Sequence, residues 1–217
     1  DAGKDRPTDP SVRDSAMIHE NWGYVAAVLN LLGTVTYLVD TVKGKARPNR
    51  VTWFVLSIAP LVAFASMLSQ QVSVAQAAMT LSAGLSPLLI FVTTFLVKHP
   101  AWKIERFDIA CGALSVLGIV VWWLTGKGNV AIVFSILADG LAFLPTLIKG
   151  YKHPETESPW TFMVGVFACV LAALTISTWD FQHAGFPVYL IIANALAVLF
   201  IYGKIGVRGA KNSAKIL

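Results

Sequence analysis

Seven apolar runs, each near the ~20 residues a helix needs to cross ~30 Å of hydrocarbon, limit what this chain can fold into. They cover residues 22–42, 52–68, 72–97, 107–125, 130–148, 160–178 and 186–202. Lipid offers no water to backbone N–H and C=O groups, so each run is expected to be a helix. The fold class expected is therefore all-α, a polytopic membrane protein with seven transmembrane helices. Composition agrees: 56% of residues are hydrophobic and 13% charged, against about 25% charged in soluble domains. The net charge of +5 would suit nucleic acid, but the basic residues sit in short loops between the runs, so no nucleic-acid partner is expected.

A short motif occurs twice. Lys43-Gly44-Lys45-Ala46-Arg47-Pro48 follows the first run and Lys149-Gly150-Tyr151-Lys152-His153-Pro154 follows the fifth, an offset of 106 (149 minus 43). Each leads to a tryptophan that opens the next run, Trp53 and Trp160. The pattern reads as a duplicated membrane unit with a basic, proline-ended loop. Runs one to three and five to seven then form two parallel three-helix repeats, and run four is the extra span that keeps both in the same orientation (3-1-3). Short connections predict that consecutive helices are antiparallel neighbours.

The expected organisation is a polar N-terminal segment over 1–20, a first repeat over 21–98, a linker helix over 99–126, a second repeat over 127–204 and a basic tail over 205–217. The N-terminal segment has no apolar core of a signal peptide. It is expected to be disordered, with Met17 a candidate natural start and the preceding residues then foreign to it. All but four of the 17 lysines and arginines lie after runs one, three and five or in the tail; the exceptions are Lys4, Arg6, Arg13 and Lys127. That bias predicts an N-terminus outside and a C-terminus in the cytoplasm, in a plasma (inner) membrane.

Leu144-Pro145-Thr146-Leu147-Ile148-Lys149, followed by Glu157-Ser158, resembles the proline-threonine, basic, serine pattern of the SWEET (MtN3/saliva) and PQ-loop superfamily of seven-helix transporters. The first repeat departs from it, with Val39-Asp40 where a Pro-Gln or Pro-Thr pair is expected. The resemblance implies alternating-access transport of a small polar solute, sugar-, amino-acid- or vitamin-like. The nicotinamide-riboside carriers share a similar layout. The fold also resembles that of the ER retrieval receptors, so a non-transporting receptor or an accessory subunit is the alternative. A retinal protein is set aside, because Lys204 lies at the end of run seven and not deep within it.

Asp139 is the sharpest single signal. A carboxylate at mid-bilayer costs roughly 2.5–3.5 kcal/mol on insertion scales, so it should face a cavity or a partner. Ser135, Asp139, Ala142 and Thr146 share one helical face. The residue reads either as a substrate or proton site or as a hydrogen-bonded acid tying helices together. The resemblance carries Asn194 over as a substrate ligand, with interhelical hydrogen bonding as its other reading. Asn30, Thr34, Tyr37 and Thr41 form a stripe in run one, from which Asn30 and Tyr37 are taken as substrate-facing. Asp40 is expected to reach Lys43 or Arg47 as an interfacial ion pair, with a gate role as the lesser reading.

Pro145 and Thr146 are the expected hinge, since proline removes an i to i−4 hydrogen bond. Trp53 and Trp160 read mainly as interfacial belt residues and secondarily as flanks of a cytoplasmic gate. No catalytic motif appears, so no enzyme activity, metal or cofactor is expected. Cys111 and Cys169 read as buried free thiols, and the four histidines fall in loops without metal-ligand spacing. The expected partners are the lipid bilayer and a small-molecule solute. Homo-oligomerisation stays open, because spacings such as Gly112 to Gly118 are too generic to define a dimer face.

Overall fold

The computed structural model describes residues 16–67, 74–125, 128–176 and 178–213. Residues 1–15, most of the expected disordered segment, lie outside the described residues. Residues 16–20 are held in part: the Ile18 N–H donates to the Leu174 carbonyl at 3.3 Å.

Seven α-helices make up the described chain: α1 (Trp22–Val42), α2 (Arg50–Met67), α3 (Val74–Leu96), α4 (Arg106–Thr125), α5 (Gly128–Lys152), α6 (Pro159–Leu174) and α7 (Phe181–Ser213), with a 3-10 turn at Pro154–Thr156. Four segments are long and apolar enough to cross a membrane: Trp22–Val42, Ala77–Leu96, Ile132–Lys152 and His183–Gly203. Side chains such as Leu32, Phe95, Leu117, Trp123, Phe167 and Leu199 project outward from these helices. So much exposed apolar surface fits a membrane protein.

Two element ends differ from expectation. α6 stops at Leu174, where the Thr175 hydroxyl and backbone N–H both turn back to the Ala172 carbonyl. α7 starts earlier than its apolar run and continues to Ser213, so most of the expected basic tail is helical; residues 214–217 and the side chains beyond Gly203 lie outside the description.

The packing order also corrects the expectation that chain neighbours are always spatial neighbours. α1 packs on α3 and α3 on α2, so α3 stands between α1 and α2. In the same way α5 packs on α7 and α7 on α6. Across the middle, α1 meets α6 and α2 meets α5, while α4 lies against α5 and α2. The Ser115 hydroxyl ties α4 to the Ala138 carbonyl of α5. Close approach of α4 to α2 depends on a missing side chain, since a Cβ on Gly112 would stand 2.5 Å from Val51 Cγ1.

Gly112→Ala is therefore expected to destabilise the bundle by roughly 1–3 kcal/mol, because β-branched Val51 has little rotamer freedom to yield. Thermal unfolding in detergent checks this, and adding Val51→Ala should restore much of the loss.

Candidate solute cavity and its closed end

A cavity of about 160 Å³ lies between the two groups of helices. It could hold several waters, at ~30 Å³ each, or one small solute. α1 contributes Asn30 and Thr34, α5 contributes Asp139 and Phe143, and α7 contributes Phe186, Leu190 and Asn194. Asp139, Asn30 and Asn194, chosen from the sequence, do meet at one site. Ser135 does not line this cavity; it borders a 20 Å³ pocket behind Asp139, and a more apolar cavity of about 320 Å³ that adjoins the first through shared Pro60, Met79, Ala83, Cys169, Phe186 and Leu190.

The polar groups are anchored by neighbours. Tyr189 donates its hydroxyl to Asp139 Oδ2 at 2.8 Å, joining α7 to α5. Asn30 Nδ2 donates to Ser86 Oγ at 3.1 Å and to Ser82 Oγ at 3.4 Å on α3. Asn194 Nδ2 donates to the Leu190 carbonyl at 2.9 Å. Its Oδ1 presses on α6, where a Cβ on Gly165 would stand 2.6 Å away.

One end of the cavity is shut. Trp53 and Phe162 form the floor with rings 6.4 Å apart and 25° from parallel. Tyr37 meets Trp53 edge-on at 4.9 Å, and Phe143 meets Phe162 at 5.8 Å. Beneath these rings lies a buried charge pair. Lys149 Nζ is 2.6 Å from Glu157 Oε1, with side chains 1% and 0% exposed. Tyr37 donates its hydroxyl to Glu157 Oε2 at 2.7 Å. Lys149 also donates to the Arg47 backbone carbonyl and lies 5.2 Å from the centre of the Trp102 ring. Ser158 donates to Asp40 Oδ2 at 2.6 Å, and Thr161 reaches the Gly33 carbonyl at 2.9 Å.

Several sequence-based assignments are corrected here. Tyr37 is fully buried in the closed end and does not face the cavity. Asp40 binds Ser158 across the interface; no ion pair to Lys43 or Arg47 forms, because Asp40 turns toward the second half of the chain. Trp53 is buried in the floor and is no belt residue, whereas Trp160 is half exposed and Phe162 is the ring that faces Trp53. Pro145 and Thr146 are buried within α5, one turn before Lys149. Lys149 and Glu157, the buried pair at this end, were not among the expected site residues. The available signal was helical phase: Thr146 and Lys149 are three apart on an apolar helix.

The repeated motif also occupies two different places. Gly44, at φ 72°, ends α1 and puts Lys43 onward in a loop. Gly150 stays helical beneath Ile201, so Lys149 to Lys152 form the last turn of α5. The cavity wall follows another register. Asn30 and Asp139, Thr34 and Phe143, Trp53 and Phe162, Leu56 and Gly165, and Pro60 and Cys169 all stand 109 apart (139 minus 30, for example). Met79 and Phe186, Ala83 and Leu190, Ser86 and Ala193, and Pro87 and Asn194 stand 107 apart (186 minus 79). At that offset Asn194 pairs with Pro87.

Removing one member of a buried ion pair leaves the other uncompensated, at a cost of about 3–5 kcal/mol. Lys149→Met or Glu157→Gln alone should destabilise by that order in detergent unfolding experiments. The pair Lys149→Met with Glu157→Leu should recover most of it. Compared with known proteins, the chain matches no family model, no curated protein and no solved structure.

Proposed function

We propose that this chain is a membrane carrier for a small polar solute, with seven spans arranged as two like three-helix halves around one shared cavity and α4 as the link between them. The observation that carries the reading is the cavity wall, where nine positions of one half recur in the other at two constant offsets. The helix order supports it. Exchanging α1, α2 and α3 for α5, α6 and α7 turns the α1–α6 contact into the α5–α2 contact, and both are present. A polar hollow between two like bundles is the arrangement in which rocking one against the other alternates access. Catalysis has no part in this reading.

By the loop charges, the closed end faces the cytoplasm and the N-terminus lies outside, in a plasma or inner membrane. The closed end is then the inner gate, built from Tyr37, Trp53 and Phe162 over Lys149 and Glu157. Opening it requires α1 to part from α6, which separates Asp40 from Ser158. Pro145 lies one turn before Lys149, so a bend there would withdraw the lysine from Glu157.

A lock tests the mechanism. In a Cys111→Ala, Cys169→Ala background, Asp40→Cys with Ser158→Cys should form a disulfide under mild oxidant. Uptake of a labelled sugar, amino-acid and amine panel into proteoliposomes should fall at least tenfold and return with reductant. Unchanged flux in the fully cross-linked protein would sink alternating access at this gate.

A further inference from the structure

The cavity offers many acceptors and little positive charge. Asp139 is the one charged side chain on its described wall, and no Lys, Arg or His is among the lining residues. Tyr189 satisfies Oδ2, while among the described residues no protein hydrogen bond reaches Oδ1. The two amides on the wall are braced by the protein. Asn194 gives one N–H to the Leu190 carbonyl, which can only accept, and its Oδ1 lies against α6 at Gly165. The Ser82 hydroxyl gives its hydrogen to the Met79 carbonyl at 2.8 Å, so it accepts from Asn30, and Asn30 likewise spends its nitrogen on the protein.

The floor completes the pattern. Phe143 lies one helical turn from Asp139, and Trp53 and Phe162 are near-parallel below it. Aromatic faces attract cations within about 6 Å, most strongly when water is excluded. A carboxylate in such surroundings, with no basic neighbour, is stabilised by a ligand that brings a positive charge. A neutral polyol would leave that charge uncompensated.

We infer that the cavity is a binding site for a small organic cation, an ammonium whose charge lies between the Asp139 carboxylate and the aromatic floor. The inference takes its cavity from the carrier reading and rests on that reading only where flux is concerned; binding stands without it.

The test compares choline and ethanolamine with 3,3-dimethyl-1-butanol, the uncharged carbon isostere of choline, and with glucose. Calorimetric titration and thermal shift on the detergent-purified chain report binding, since a ligand stabilises the state it binds. Choline should bind at least tenfold more tightly than its isostere. Asp139→Asn should erase that difference, and Trp53→Leu should weaken choline while leaving Asp139 in place. Equal binding of choline and its isostere by the unmodified chain overturns the inference whatever the variants do, as does failure of both cations to bind. Labelled choline and glucose in proteoliposomes separate the two readings. Cation binding without flux of either keeps the cation site and removes the carrier. Glucose flux with no cation preference, unaltered by Asp139→Asn, keeps the carrier and overturns the cation site.

Discussion

A lysine and a glutamate can be buried in a helical bundle only when each meets the other and their remaining hydrogen-bonding capacity is met by the protein. Lys149 and Glu157 meet that condition through four separate parts of the chain. Lys149 comes from the last turn of α5 and Glu157 from the segment before α6. Tyr37 comes from α1, and the carbonyl of Arg47 from the loop entering α2. One charge pair therefore fixes the relative positions of all four helices that meet across the middle. Parting α5 from α6 would leave each charge uncompensated in a low-dielectric interior, and parting α1 or α2 would strip a hydrogen bond from the pair.

That constraint explains why the cavity has the shape it does. Above the pair, the rings of Tyr37, Trp53, Phe143 and Phe162 fill the space between the same four helices. Farther along, α2 and α3 each carry a proline on the wall, Pro60 and Pro87, where no backbone N–H can brace the helix. Gly165 gives way to the Asn194 amide where any larger residue would collide. The hollow persists because polar atoms are held by the protein: Asn194 on Leu190 of its own helix, Asn30 across to the two α3 serines. On the proposed reading the site is pre-set, and a ligand entering it would have few side chains to rearrange.

Helix existence was legible because lipid leaves the backbone one local solution. α1 matches its apolar run end to end, and α4 nearly so. Asp139 was legible because a carboxylate there is costly, Asn30 because it lies on the polar stripe of its run, and Asn194 through the family resemblance. Register between the halves was not. The two basic motifs look alike as strings, yet Gly44 turns left-handed and closes α1 while Gly150 packs under Ile201 and lets α5 continue. A glycine's conformation is decided by its surroundings, so the motif's offset of 106 differs from the 109 and 107 that recur on the cavity wall. Lys149 was hidden for a related reason. It reads as one more loop cation until the helix is known to extend past it, where it pairs with Glu157.

With the register of the cavity wall in place of that of the motif, the pairs at 109 acquire chemical sense. Tyr37 falls opposite Thr146 and Asp40 opposite Lys149, so one half presents an acid where the other presents a base. Each reaches across to the loop of the other half: Asp40 to Ser158, Lys149 to the Arg47 carbonyl. Asn30 falls opposite Asp139, an amide against a carboxylate of nearly the same shape. If the halves are copies, as proposed, packing positions were kept while charge was placed on one side only. A symmetric pair of acids at 30 and 139 would set two like charges in one hollow, and a symmetric pair of lysines at 40 and 149 would repel across the closed end. Asymmetry of charge on a near-symmetric frame is what lets the closed end hold and leaves the cavity a single carboxylate.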